Sequence, residues 1–135
     1  MIMDIWKELQ DEGIDKALLD EIRQFRAEHP ATPEAAARIP VPRFLYYGKE
    51  IWESAAAALL CGEHLLLAGP KATGKNVLAE NLAAVFGRPN WDVSMYVNVD
   101  AASLIGADTL KDGKVVFREG PICQCARMGG FGVLD

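Results

Sequence analysis

Gly69-Pro70-Lys71-Ala72-Thr73-Gly74-Lys75 sets two glycines in one short loop and a lysine directly after the second. The apolar run Leu65-Leu66-Leu67-Ala68 precedes it and the amphipathic stretch Asn76–Phe86 follows, so the order reads strand, loop, helix. Glycine lets a backbone fold its N–H groups inward around a polyphosphate. A lysine at the loop's end adds a point charge for the outer phosphates, and the helix start behind it adds a positive dipole end. The candidate nucleotide-binding residues are therefore Gly69, Pro70, Lys71, Ala72, Thr73, Gly74, Lys75, Asn76 and Val77, with the N–H groups from Lys71 to Val77 as the wrap. The plainer alternative is a strand–helix turn with no ligand.

Position 76 departs from the full motif, which has Ser or Thr there to ligate Mg²⁺ through its hydroxyl. The residue is Asn76. An amide oxygen reaches farther and aims differently, and Mg²⁺ tolerates distorted octahedra badly. Asn76 reads either as a helix-start residue for free backbone N–H groups or as the mark of a cradle that handles its metal poorly.

The chain has 135 residues, enough for one domain, and 50% of them are hydrophobic. Net charge is −5, of which residues 1–28 carry −4 from eight acids and four bases. No Lys/Arg stripe is available to follow a nucleic-acid backbone, so no nucleic-acid partner is expected. No apolar run approaches the ~20 residues of a membrane span. Met1-Ile2-Met3 leads into an acidic segment without the basic start and apolar core of a signal peptide, and the expected location is cytoplasmic. Cys61, Cys123 and Cys125 form no paired Cys-x-x-Cys spacing and read as reduced thiols.

Residues 4–28 read as a helix in two pieces hinged at Gly13, with Ile5, Trp6 and Leu9 on one apolar edge and Leu18, Leu19, Ile22 and Phe25 on another. That edge covers either the following domain or a partner. Pro30, Pro33, Pro40 and Pro42 make 29–43 a semi-rigid linker with at most a short helix at Glu34–Arg38. After the aromatic cluster Phe44, Tyr46 and Tyr47, a helix is expected from Lys49 to about Leu60, ended by Gly62. Strands are expected at His64–Ala68, Trp91–Val99 and Phe131–Asp135, a hairpin turn at Asp112-Gly113, and a helix over Pro121–Met128. His64, alone at its strand's start, reads as a structural edge residue. A strand ending in Asp135 beside a phosphate cradle is where such a site holds its metal, although a terminal Asp also reads as a solvated charge.

From about Tyr46 to Asp135 the chain resembles the AAA+ ATPases, in the MoxR and dynein-related branch with the NirQ- and CbbQ-like proteins. The matching pieces are Tyr47-Gly48-Lys49-Glu50, the Leu65–Pro70 entry to the Walker A loop, Leu104-Ile105-Gly106, Phe117-Arg118-Glu119-Gly120-Pro121, and the Walker B strand ending at Asp135. Lys71, Ala72 and Asn76 depart from the family's usual loop. The resemblance implies an α/β P-loop NTPase fold, a parallel sheet with flanking helices, preceded by a small helical segment. The expected organisation is a helical segment at 1–28, a linker at 29–43 and a partial nucleotide-binding domain at 44–135.

Functionally, the resemblance implies ATP or ADP as ligand and Mg²⁺ held weakly at Asp135 and Asn76. Tyr46 and Tyr47 are candidate adenine contacts, with core packing as the alternative. It also implies self-association and a client protein that is remodelled or activated. The family's water-orienting Glu, sensors, arginine finger and helical lid fall outside residues 1–135, so the chain reads as the N-terminal part of a motor domain with no turnover of its own. In the family's strand order, His64–Ala68 then lacks its neighbours and needs re-pairing. Two other readings stand: a degenerate P-loop protein that binds nucleotide as a structural or regulatory ligand, and, fitting less well, a small P-loop kinase.

Overall fold

Aspartates set the starts of the first two helices. In the computed structural model, which describes residues 2–135, Asp4 accepts from the N–H groups of Trp6 and Lys7 to open α1 (Ile5–Asp11). Asp15 accepts from Leu18 N–H at 3.1 Å to open α2 (Lys16–Glu28). Gly13 lies between them at φ +83°, the left-handed turn that the hinge needs. The apolar edge of this pair folds back on its own chain. Leu9, Leu19 and Ile22 join one core with Trp52 and Ala56 of α3 (Lys49–Leu60) and with Leu78, Leu82 and Val85 of α4 (Lys75–Val85). Arg26 fastens the join by donating to the carbonyls of Ala84 and Val85, at 2.8 and 2.9 Å, at the C-terminal end of α4.

The proline-rich stretch is docked at Ala35 and otherwise largely exposed. Its helical turn is a short 3-10 piece at Ala36–Arg38, and Ala35 is buried with Trp91, Cys125 and Met128 in a second, smaller core. Arg38 lies over the Trp91 ring at 4.8 Å.

The fold is mixed α/β with a small parallel sheet and flanking helices. β1 (Asn90–Val93) pairs in parallel with β4 (Phe131–Leu134), Trp91 opposite Gly132. Between them come α5 (Ala101–Leu104), the antiparallel hairpin of β2 (Gly106–Lys111) and β3 (Lys114–Glu119), and α6 (Pro121–Met128). Asp112 and Gly113 turn the hairpin at φ +52° and +73°, the pair of positive angles that this tight turn requires.

Two expected strands come out differently. His64–Ala68 joins no ladder among the described residues: Leu65 and Leu67 pack partly on the main core, while Leu66 is 93% exposed. Apolar character alone cannot pair a strand, because the hydrogen bonds come from a neighbour elsewhere in the chain. The strand expected over Trp91–Val99 stops at Val93. The pairing runs on only through Asp135 N–H to Val93 O and Met95 N–H to Asp135 O, after which Val99 N–H turns back to Tyr96 O. Val97, inside the expected strand, is 99% exposed. The four-residue α5 was not anticipated; Asp100 caps it through Ser103 N–H and Oγ.

Candidate nucleotide-phosphate site

The loop 69–74 meets α4 through backbone that only a few residues tolerate. Gly74, the cap of α4, sits at φ +87°, and Ala72 within the loop is also left-handed at φ +58°. Intrahelical bonding of α4 begins with Leu78 N–H to Gly74 O, so the N–H groups of Lys75, Asn76 and Val77 lie at the open end of an eleven-residue helix. Thr73 Oγ1 donates to Pro70 O at 2.8 Å and closes the loop on itself. Lys75 Nζ curls over it, donating to Gly69 O at 2.9 Å and Pro70 O at 2.6 Å. Gly69 through Thr73 are exposed, so the loop is open to solvent.

Asp135 is brought to this loop by the β1–β4 pairing. Its Oδ2 accepts from Asn76 Nδ2 at 3.1 Å, a contact across 59 positions of sequence. A carboxylate can only accept here, so the amide must present its nitrogen, leaving its oxygen aimed elsewhere. A cleft of about 380 Å³ opens beside this pair, lined by Asn76, Val77, Glu80, Asp92 and Asp135 among others. Tyr46 and Tyr47 part company. The Tyr46 ring packs onto Gly74, while Tyr47 is 69% exposed.

The donor set fits a nucleotide's phosphates: a loop left-handed at Ala72 and Gly74, open N–H groups at a helix start and one lysine. For a cation it offers the Asp135 carboxylate beside Asn76, which suits Mg²⁺ bound mainly through phosphate oxygens and water. Among the described residues no three His, Cys, Asp or Glu side chains cluster to hold a metal by themselves.

Sequence reasoning missed Asn81. It is fully buried in α4, accepts from Tyr46 N–H at 2.9 Å and donates to Phe44 O at 2.9 Å, stitching the entry segment to the cradle helix. The signal was available: Asn81 shares the helical face of Leu78, Leu82 and Val85, and a polar residue on an apolar face demands partners. Glu12 was missed too; its Oε1 accepts from Gly48 N–H at 2.6 Å.

Among known proteins, the chain is 36% identical over 99 residues to protein NorQ of Paracoccus denitrificans, covering 72% of this chain and 36% of that protein. It is 31% identical over 112 residues to the uncharacterized protein YojN of Bacillus subtilis, covering 80% of this chain and 37% of YojN. A third relative is mouse von Willebrand factor A domain-containing protein 8, 27% identical over 105 residues, 75% of this chain and 6% of that protein. The chain thus spans little more than a third of the first two relatives' length. No solved structure matches it. The family model of the AAA domain, dynein-related subfamily, matches residues 64–135, more than half of the chain. With its phosphate-loop geometry and the Asp-ended parallel strand beside it, this chain belongs to the dynein-related AAA family.

Proposed function

We propose that this chain is the ATP-binding part of a MoxR-like AAA+ ATPase whose whole protein remodels or activates a client protein. The observation that supports it most is the loop 69–75, left-handed at Ala72 and Gly74, with a lysine folded over it and three open N–H groups at the start of the following helix. Lys75 would exchange its two carbonyl partners for the outer phosphates, and the N–H groups from Lys71 to Val77 would wrap them. Asp135 would stand on the cation side. Family membership adds nucleotide and Mg²⁺ use in general, and assembly into oligomers. We place the working form in the cytoplasm. Residues 1–28 serve as a helical lead-in, 29–43 as a linker and 44–135 as the nucleotide-binding part.

By itself the chain binds without appreciable turnover. The water-orienting Glu and arginine finger that the resemblance assigns are not among its residues, and such a finger is worth ~10³–10⁵ in rate. The test is calorimetric titration with ATP. Lys75→Ala is expected to weaken binding about tenfold or more, which is ~1.4 kcal/mol at the least. Unchanged affinity would remove the cradle reading, and steady turnover at ordinary enzyme rates would remove the claim of inactivity.

A second reading is favoured by the Asn76–Asp135 bond. A carboxylate already holding an amide N–H is partly engaged without metal, which suits a P-loop that keeps nucleotide as a structural or regulatory ligand.

A further inference from the structure

Tyr46 is anchored at both of its backbone polar groups by buried side chains. Its N–H donates to Asn81 Oδ1 at 2.9 Å, and its carbonyl accepts from Trp52 Nε1 at 2.7 Å. Asn81 is fully buried and Trp52 is 1% exposed, so neither anchor competes with water. The ring these anchors aim lies between two left-handed or otherwise glycine-only positions. A Cβ on Gly74 would stand 3.0 Å from Tyr46 Cδ2, and one on Gly48, at φ +156°, would stand 3.0 Å from Tyr46 Cε1. Gly48 N–H is in turn held by Glu12 of the N-terminal helix pair. One connected set of contacts therefore runs from the N-terminal helices, through Gly48 and the Tyr46 ring, to the residue that caps the cradle helix.

We propose that Tyr46 is a positioning residue of the phosphate cradle, holding Gly74 in its left-handed turn so that the N–H groups of Lys75–Val77 converge. The proposal rests on the reading of residues 69–77 as a phosphate site. Glycine is the residue with most freedom to leave that conformation, so a fixed wall against it narrows what the loop can sample before ligand arrives. The ring's two edges are spent on Gly48 and Gly74, and the Tyr46 hydroxyl makes no hydrogen bond among those described. On this proposal Tyr46 acts on phosphate through Gly74, and its removal weakens a ligand without a base as much as one with a base.

The experiment titrates the whole 135-residue chain with ATP and, separately, with inorganic tripolyphosphate, which has no base. Tyr46→Leu is expected to weaken both ligands by the same factor, about tenfold, and Tyr46→Phe to restore both. A loss confined to ATP would make Tyr46 a base contact and overturn the proposal. Unchanged binding of both, while Lys75→Ala weakens both, would overturn the positioning role and leave the cradle standing. Binding insensitive to Lys75→Ala would remove the cradle itself. Should Tyr46→Leu fail to fold, Glu12→Ala removes the acceptor at Gly48 instead. Both affinities then fall together by about threefold or more, or the proposal is overturned.

Discussion

At position 76 one side chain changes what the site can do. Asn76 replaces the hydroxyl that would ligate a cation and spends its amide on Asp135, 3.1 Å away. That contact is exposed, so its loss changes stability little. Asn76→Thr is expected to move unfolding free energy by no more than about 0.5 kcal/mol, while making ATP affinity more dependent on Mg²⁺. Titrations with and without Mg²⁺ check this; an unaltered ratio would show that residue 76 does not govern the metal. The departure at this position was visible in the sequence because the motif names the residue type. The Asp-ended strand placed Asp135 beside the loop, but the bond to Asn76 itself spans 59 positions and no local pattern announces it. Asn81 is the converse case. Its place on an apolar face was legible, yet the groups it satisfies, on Phe44 and Tyr46, lie more than thirty positions away.

Individual elements formed where local chemistry was sufficient. The Asp4 and Asp15 caps, the Asp112-Gly113 turn and the Pro121 start of α6 each act within a few residues, and the turn and the α6 start lie where the sequence put them. The turn α5 works the same way on a smaller scale. Ser103 Oγ first, and then Ser103 N–H, hold the Asp100 carboxyl below its ordinary value of 3.8. A carboxyl lowered in the folded state supports folding above that ordinary value, and the support is lost as pH falls through the lower folded value. The Ser103 amide signal in NMR should therefore shift as pH falls below 3.8, and Asp100→Asn, which keeps an acceptor, should abolish that titration. An amide signal equally pH-dependent in both proteins would assign the transition to another group. His64–Ala68 marks the limit of element-scale reasoning. Its residues suit a strand, but a strand exists only when something pairs with it.

Across the whole molecule, the helical pair α1 and α2 closes the main core, and the proline-rich stretch seats Ala35 in the second. What stays open is on the sheet side. Leu66 and Val97 are almost fully exposed, and the hairpin shows Leu110 and Val115 at 74% and 71%. An unpaired apolar segment and exposed apolar side chains favour contact with another copy. Self-association is therefore expected in size-exclusion chromatography with light scattering. A clean monomer that unfolds cooperatively at high temperature would show that the chain satisfies its own sheet. The sequence by itself determined the glycine loop ahead of α4, the bounds of α3 and α6 and the hairpin turn, because glycine φ, proline at a helix start and apolar periodicity act over a few residues. Only the tertiary structure decided that the apolar run 64–68 stays unpaired, that the linker is docked at Ala35, and that Tyr46 faces Gly74 while Tyr47 faces solvent. Those outcomes depend on partners brought together from distant parts of the chain, and a pattern repeating every two to four residues carries no record of them.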